Sequence, residues 1–178
     1  MSNLLVQSIK HTNGTLAQTI DSTGRVLTPA RPAFRAYNNA SSAWTEVTHA
    51  QHQIVAYNAE KYDIGGNYNT STYRFTCPVD GLYFFSARVY MHTDGGNARL
   101  TIVTGTTNPA TDESTFLSHT YKSNNVTARS GTQITNCTAE LTASTQVGVY
   151  IYHGSDTANS YYSENNTLYS HFEGHLIG

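Results

Sequence analysis

The chain has 178 residues, with 10 basic and 12 acidic side chains, a formal net charge of −2 and no block of either sign, which excludes an electrostatic footprint for nucleic acid or an anionic membrane. Charged residues make up 12% of the chain, against roughly 25% in ordinary soluble domains, so the polar surface must come from Thr, Ser, Asn and Gln. The length suits one domain plus an appendage and is enough to bury a core without covalent staples.

No cationic stretch followed by an apolar run opens the chain, and no apolar run approaches a membrane span, so neither a secretory signal nor membrane insertion is expected. Residues 4–28 hold short apolar runs broken at Asn13-Gly14 and Ser22-Thr23-Gly24. Both breaks suit positive φ, and the pattern predicts small hairpins. The segment has too few large apolar residues to fold alone. Residues 1–31 are therefore expected to form an attachment or trimerisation segment, ordered against its own copies or a larger assembly, a disordered tail being the alternative. Thr28 to Pro32 carries two prolines three apart, an extended hinge.

Beyond the hinge, strands are expected near 33–37, 52–57, 72–77, 82–92, 98–104, 115–121, 132–141, 146–153 and 168–177, with a short one around Trp44. Turn clusters fall at 63–66, 78–81, 94–97 and 108–109, and no segment carries a helical period. This spacing reads as an all-β sandwich or jelly roll. The run from Leu82 to Met91 is apolar on both faces: Tyr83, Phe85, Ala87, Val89 and Met91 on one, Leu82, Phe84 and Tyr90 on the other. Residues 146–153 and the last strand repeat the pattern. One sheet is thus expected to bury its inner face and carry aromatics outward, and a patch of that size implies oligomerisation.

Cys77 and Cys137 share parity with Phe75 and Leu141, so two buried free thiols are expected, a disulfide being the alternative. There is no Gly-x-Ser-x-Gly elbow, no His-Glu-x-x-His and no phosphate-cradling glycine loop, so no enzymatic activity is expected. The histidine pairs 49/52 and 171/175 are unsuited to one metal: i and i+4 on a strand lie roughly 13 Å apart, and His49 and His52 would point to opposite faces. No metal site or cofactor is expected. Asp94, Asn97, Asp156 and Glu164 offer oxygens that calcium could use, without the spacing of a calcium loop. Residues 154–166 mix Tyr161 and Tyr162 with Ser, Asn and Asp156, a composition able to stack on and hydrogen-bond a glycan or protein ligand.

The stretch from Tyr57 to Phe85 resembles a known family. Asp63, Tyr68, Phe75, Gly81, Tyr83 and Phe85 occur at the spacing of the complement component 1q globular heads, within the tumour-necrosis-factor-like jelly rolls. Tyr57 stands where Phe is usual and Ala87 where a last aromatic is usual. Phe172-Glu173-Gly174-His175-Leu176 resembles the family's closing strand and Pro32-Ala33-Phe34 its opening. The resemblance covers residues 32–178. It implies a ten-stranded jelly roll forming a homotrimer, with Phe84, Tyr169 and His171 as candidate interface residues. Collagen-like repeats are missing, and the N-terminal phrases resemble leaders of marine phage fibre and virion-surface proteins. That resemblance implies a virion structural protein of a bacteriophage, made in the host cytoplasm and held to other virion proteins by residues 1–31. Its head would bind a host receptor or glycan. A ligand-free capsid decoration trimer and a non-viral secreted binding module are the alternatives.

Overall fold

The computed structural model describes residues 6–40, 43–93, 96–106, 108–109, 113–124, 129–154, 159–163 and 169–178. Strands β1 (Ser8–Lys10), β2 (Leu16–Ile20) and β3 (Val26–Leu27) make a three-stranded antiparallel sheet in that order. Its turns use the residues that the sequence marks. Gly14 and Gly24 have φ of 88° and 82°, a region that glycine enters without steric cost. Asp21 accepts the Thr23 and Arg25 N–H groups at 2.9 and 3.0 Å and pairs with the Arg25 guanidinium at 2.6 Å. The Thr23 hydroxyl first, then the Arg25 contacts, hold the Asp21 carboxyl down at about 2.

The remaining strands are β4 (Ala33–Tyr37), β5 (Ala43–Val47), β6 (His52–Ile54), β7 (Ala59–Ile64), β8 (Tyr68–Asn69), β9 (Arg74–Thr76), β10 (Gly81–Thr93), β11 (Gly96–Thr104), β12 (Phe116–Asn124), β13 (Arg129–Leu141), β14 (Gln146–His153), β15 (Asn159–Ser163) and β16 (His171–Leu176). They form a seven-stranded sheet, ordered β5-β15-β10-β16-β4-β7 with β13 on the other edge of β10, and a six-stranded sheet, ordered β12-β11-β14-β9-β8 with β6 beside β14. The result is the expected all-β sandwich. It is cut into more segments than the ten expected, because pieces as short as β8, two residues long, pair separately. Three strands lie outside the expected ranges: the two-residue β8, β7 and β15. The alternation signal is absent from β7 (AEKYDI) and from β15 (NSYYS), which reads as a polar loop. Pairing with β4 on one side, and with β5 and β10 on the other, holds them extended.

The core is aromatic. Phe34 stacks on Tyr68 and Phe75 across the sandwich at 5.0 and 4.7 Å and meets the edge of Phe172 at 4.9 Å. Tyr83, Phe85, Ala87, Val89 and Met91 are buried to 1% exposure or less, all on the inward face of β10. The tyrosine hydroxyls are satisfied by backbone: Tyr68 donates to the Tyr57 carbonyl at 2.9 Å, Tyr57 to Arg88 at 3.2 Å and Tyr83 to Val79 at 2.8 Å. The Asp63 carboxylate accepts the Tyr68 N–H at 2.9 Å across the turn after β7. Cys77 is buried and Cys137 half-buried, both as free thiols, and burial pushes each up to about 11.

Gly174 lies opposite Phe34 on one side and Phe85 on the other. A Cβ there would stand 2.5 Å from the Phe85 ring and 2.9 Å from the Phe84 carbonyl oxygen, so the core fits only a residue without a side chain. Gly174→Ala is expected to destabilise the sandwich by about 1–3 kcal/mol through overpacking. Urea unfolding followed by circular dichroism measures this, and an unchanged midpoint would contradict the packing described.

Candidate functional site: an aromatic sheet face

The outward face of the seven-stranded sheet follows from register. The Cα pairings place Phe84 beside His175, Ala33 and Ile64 in one row, Ser86 beside Glu173, Arg35 and Tyr62 in the next, and Arg88 beside His171 and Tyr37 in a third. Along β10 the same parity continues to Tyr90 and His92. Their rings meet Trp44 of β5 at 6.0 and 5.7 Å, and Tyr90 meets Tyr169 at 5.5 Å. Phe84 and His175 lie 5.4 Å apart. Trp44, Tyr62, Ile64, Leu82 and Tyr169 keep between 37% and 45% of their surface in solvent.

The face is sparsely charged. Arg35 pairs with Glu173 at 3.2 Å. Partial burial, then the nearby Glu173, raises the phenol of Tyr62 above its ordinary range. The Nε atoms of Arg35 and Arg88 are buried without a hydrogen-bond partner.

The other sheet answers its own two-faced pattern, which corrects the expectation that β14 and the last strand share one outward face. β14 belongs to the six-stranded sheet, and outward Tyr150 is 5% exposed. Arg74 covers it: the guanidinium donates to the Tyr150 hydroxyl at 2.6 Å and to the carbonyls of Gly105, Thr106 and Thr72 at 3.0–3.1 Å. Thr101 and Val103, also on the outward side of β11, are buried to 1% or less. On the six-stranded sheet Tyr121 of β12, paired with Arg99 on the same outward side, stays 51% exposed, whereas the seven-stranded sheet exposes Trp44, Tyr62 and Tyr169 together with Ile64 and Leu82.

Phe84, Tyr169 and His171 therefore share one face, His171 already reduced to 9% exposure within the single chain. Tyr161 does not stand where the ligand reading needs it. It pairs with Met91 on the inward side of β15, is 1% exposed and accepts the Ala56 N–H at 3.4 Å. Alternation along an extended strand carries the ring into the core, so it offers no stacking platform. The Tyr162 side chain, Asp156, Asp94 and Glu164 lie outside the described residues, and Asn97 is exposed. Among the described residues no group of three His, Cys, Asp or Glu is placed to hold a metal. The sequence reading missed Trp44 and Tyr62, because β5 and β7 reach this face only through partners far away in the chain.

Residues 33–177 match the family model of the C1q domain. The chain belongs to the C1q domain family. Among solved structures, the globular domain of zebrafish complement 1qA protein is 21% identical with a TM-score of 0.54, over 83% of this chain and 98% of that one. The Eiger TNF of S. frugiperda is 10% identical with a TM-score of 0.60, over 84% of this chain and 94% of that one. These likenesses concern the fold. No curated protein matches this C1q-family chain.

Trp44 is the single tryptophan and, at 44% exposure on this face, reports on it alone. If assembly covers the face, dilution to the dissociated state is expected to shift the Trp44 emission to the red and raise its quenching by acrylamide. Emission independent of concentration across a measured dissociation would exclude Trp44 from the contact.

Proposed function

We propose that this C1q-family chain is a non-enzymatic binding head that assembles as a homotrimer through the aromatic face of the seven-stranded sheet. One observation carries the reading: Trp44, Tyr62, Ile64, Leu82 and Tyr169 are all 37–45% exposed on a single sheet face. Covering each contributes on the order of 1–2 kcal/mol. Summed over three copies, that is of the size needed to offset an association cost of about 4–15 kcal/mol. Phe84, Tyr169 and His171 are the residues assigned to the contact, together with Trp44 and Tyr90.

Within this reading the head belongs on the surface of a phage virion. The support is compositional: 12% charged residues in a chain rich in hydroxyls and amides, behind a leader that resembles those of virion-surface proteins. Residues 1–31 then join the head to other virion proteins, and the loops at its far end meet a host glycan or receptor. Tyr162 and Asp156 remain the proposed ligand contacts, with no cofactor assigned. A decoration trimer without a ligand and a secreted non-viral module use the same sheet contact. Imaging of the intact particle separates them, since many copies on the shell indicate decoration and a few at the tail indicate adhesion.

Phe84→Asp is expected to convert the trimer to a monomer in analytical ultracentrifugation while the unfolding of the inner core stays cooperative. A Phe84→Asp chain that still sediments as a trimer would refute the assignment of this face. Binding of the wild-type trimer to host cells or arrayed glycans is expected in the adhesin reading. A trimer that binds neither and is buried in the particle removes that role and leaves the decoration reading.

A further inference from the structure

The N-terminal sheet has two unlike faces. Ile9 pairs with Gln18, and Ile20 with Val26. Gln18 and Ile20 are two apart on β2, so all four side chains stand on one side. Ile9, Ile20 and Val26 are 50%, 37% and 61% exposed. The other side carries the Ser8–Thr19–Leu27 row. Strands of three, five and two residues cannot cover such a face by themselves. The turns at Gly14 and at Asp21 nevertheless fix the register locally, so the apolar side is specified by the chain itself.

We infer that this face closes on the same face of the other two copies, making a three-fold stalk beneath the heads. The inference rests on the trimer proposed above. Five residues, 28–32, connect β3 to β4, and a chain of that length reaches at most about 20 Å. β4 lies in the seven-stranded sheet, with Ala33, Arg35 and Tyr37 on its aromatic face. Three N-terminal sheets thus start within that distance of the shared contact, at a mutual concentration of the order of mM. None of Ile9, Gln18, Ile20 and Val26 is charged, so repulsion does not oppose their meeting. The competing occupant is the groove of about 380 Å³ at the base of the head, lined by Pro32, Val79 and Leu176 among others.

The test uses the full chain carrying Val26→Cys, with Ser8→Cys on the opposite face as its control, under mild oxidation. Sedimentation fixes the oligomeric state of each variant. In a trimer, Val26→Cys is expected to form covalent dimers at least about tenfold faster than Ser8→Cys, since the tether brings both positions equally near and only the Val26 side faces its copies across the contact. A trimer in which the two variants cross-link alike, or in which neither does, overturns the stalk and leaves the head contact standing. A chain that sediments as a monomer overturns both. As a second readout, Ile20→Asp is expected to speed proteolysis within residues 6–31 while the heads remain trimeric. Unchanged cleavage would place the apolar face elsewhere, in the basal groove or on another protein.

Discussion

Strand β10 is hydrogen-bonded along both edges, to β13 over its whole length and to β16 and β15 on the other side. A strand so held cannot rotate, and a slip by one residue would exchange its two faces. Each side chain is therefore committed either to the core or to the outside. Tyr83 and Phe85 go inward because Phe34, Phe75 and Phe172 wait there, at 5.9–6.5 Å from one or the other ring. Phe84, Arg88, Tyr90 and His92 go outward for no reason of their own. The open aromatic face is thus the reverse side of the best-packed strand in the molecule.

The residues that place the chain in its family do structural work. Asp63 holds the turn after β7, and Tyr68 and Tyr57 pass hydrogen bonds from one backbone carbonyl to the next. Gly81 and Gly174 leave room where a Cβ would collide with Leu176 or Phe85. Their spacing specifies a sandwich with aromatic layers and is silent about any ligand. Recognition must be argued instead from surfaces that the signature does not reach.

The legibility of the chain follows the same division. The strands with period-two alternation and the turns with Gly, Pro, Asn and Asp are visible in the sequence, because those signals are local. β7 and β15 are not visible, since AEKYDI and NSYYS are held extended only by neighbours that the chain supplies from far away. Tyr161 reads as a polar-loop residue for that reason, though the fold buries it opposite Met91. β14 illustrates the opposite error. Tyr150 and Tyr152 look like part of an open face, but the chain also contains Arg74, whose guanidinium reaches across to close over Tyr150. Sequence parity reports which residues share a side of a strand and says nothing of what lies on top of it.

The two thiols carry a consequence for what holds such a head together. Burial keeps both close to 11, so near neutral pH almost none of either cysteine is the thiolate that attacks disulfides or peroxides. The aromatic layers, not a covalent link, hold the sheets together. The packing of the two sheets therefore does not depend on a disulfide between Cys77 and Cys137.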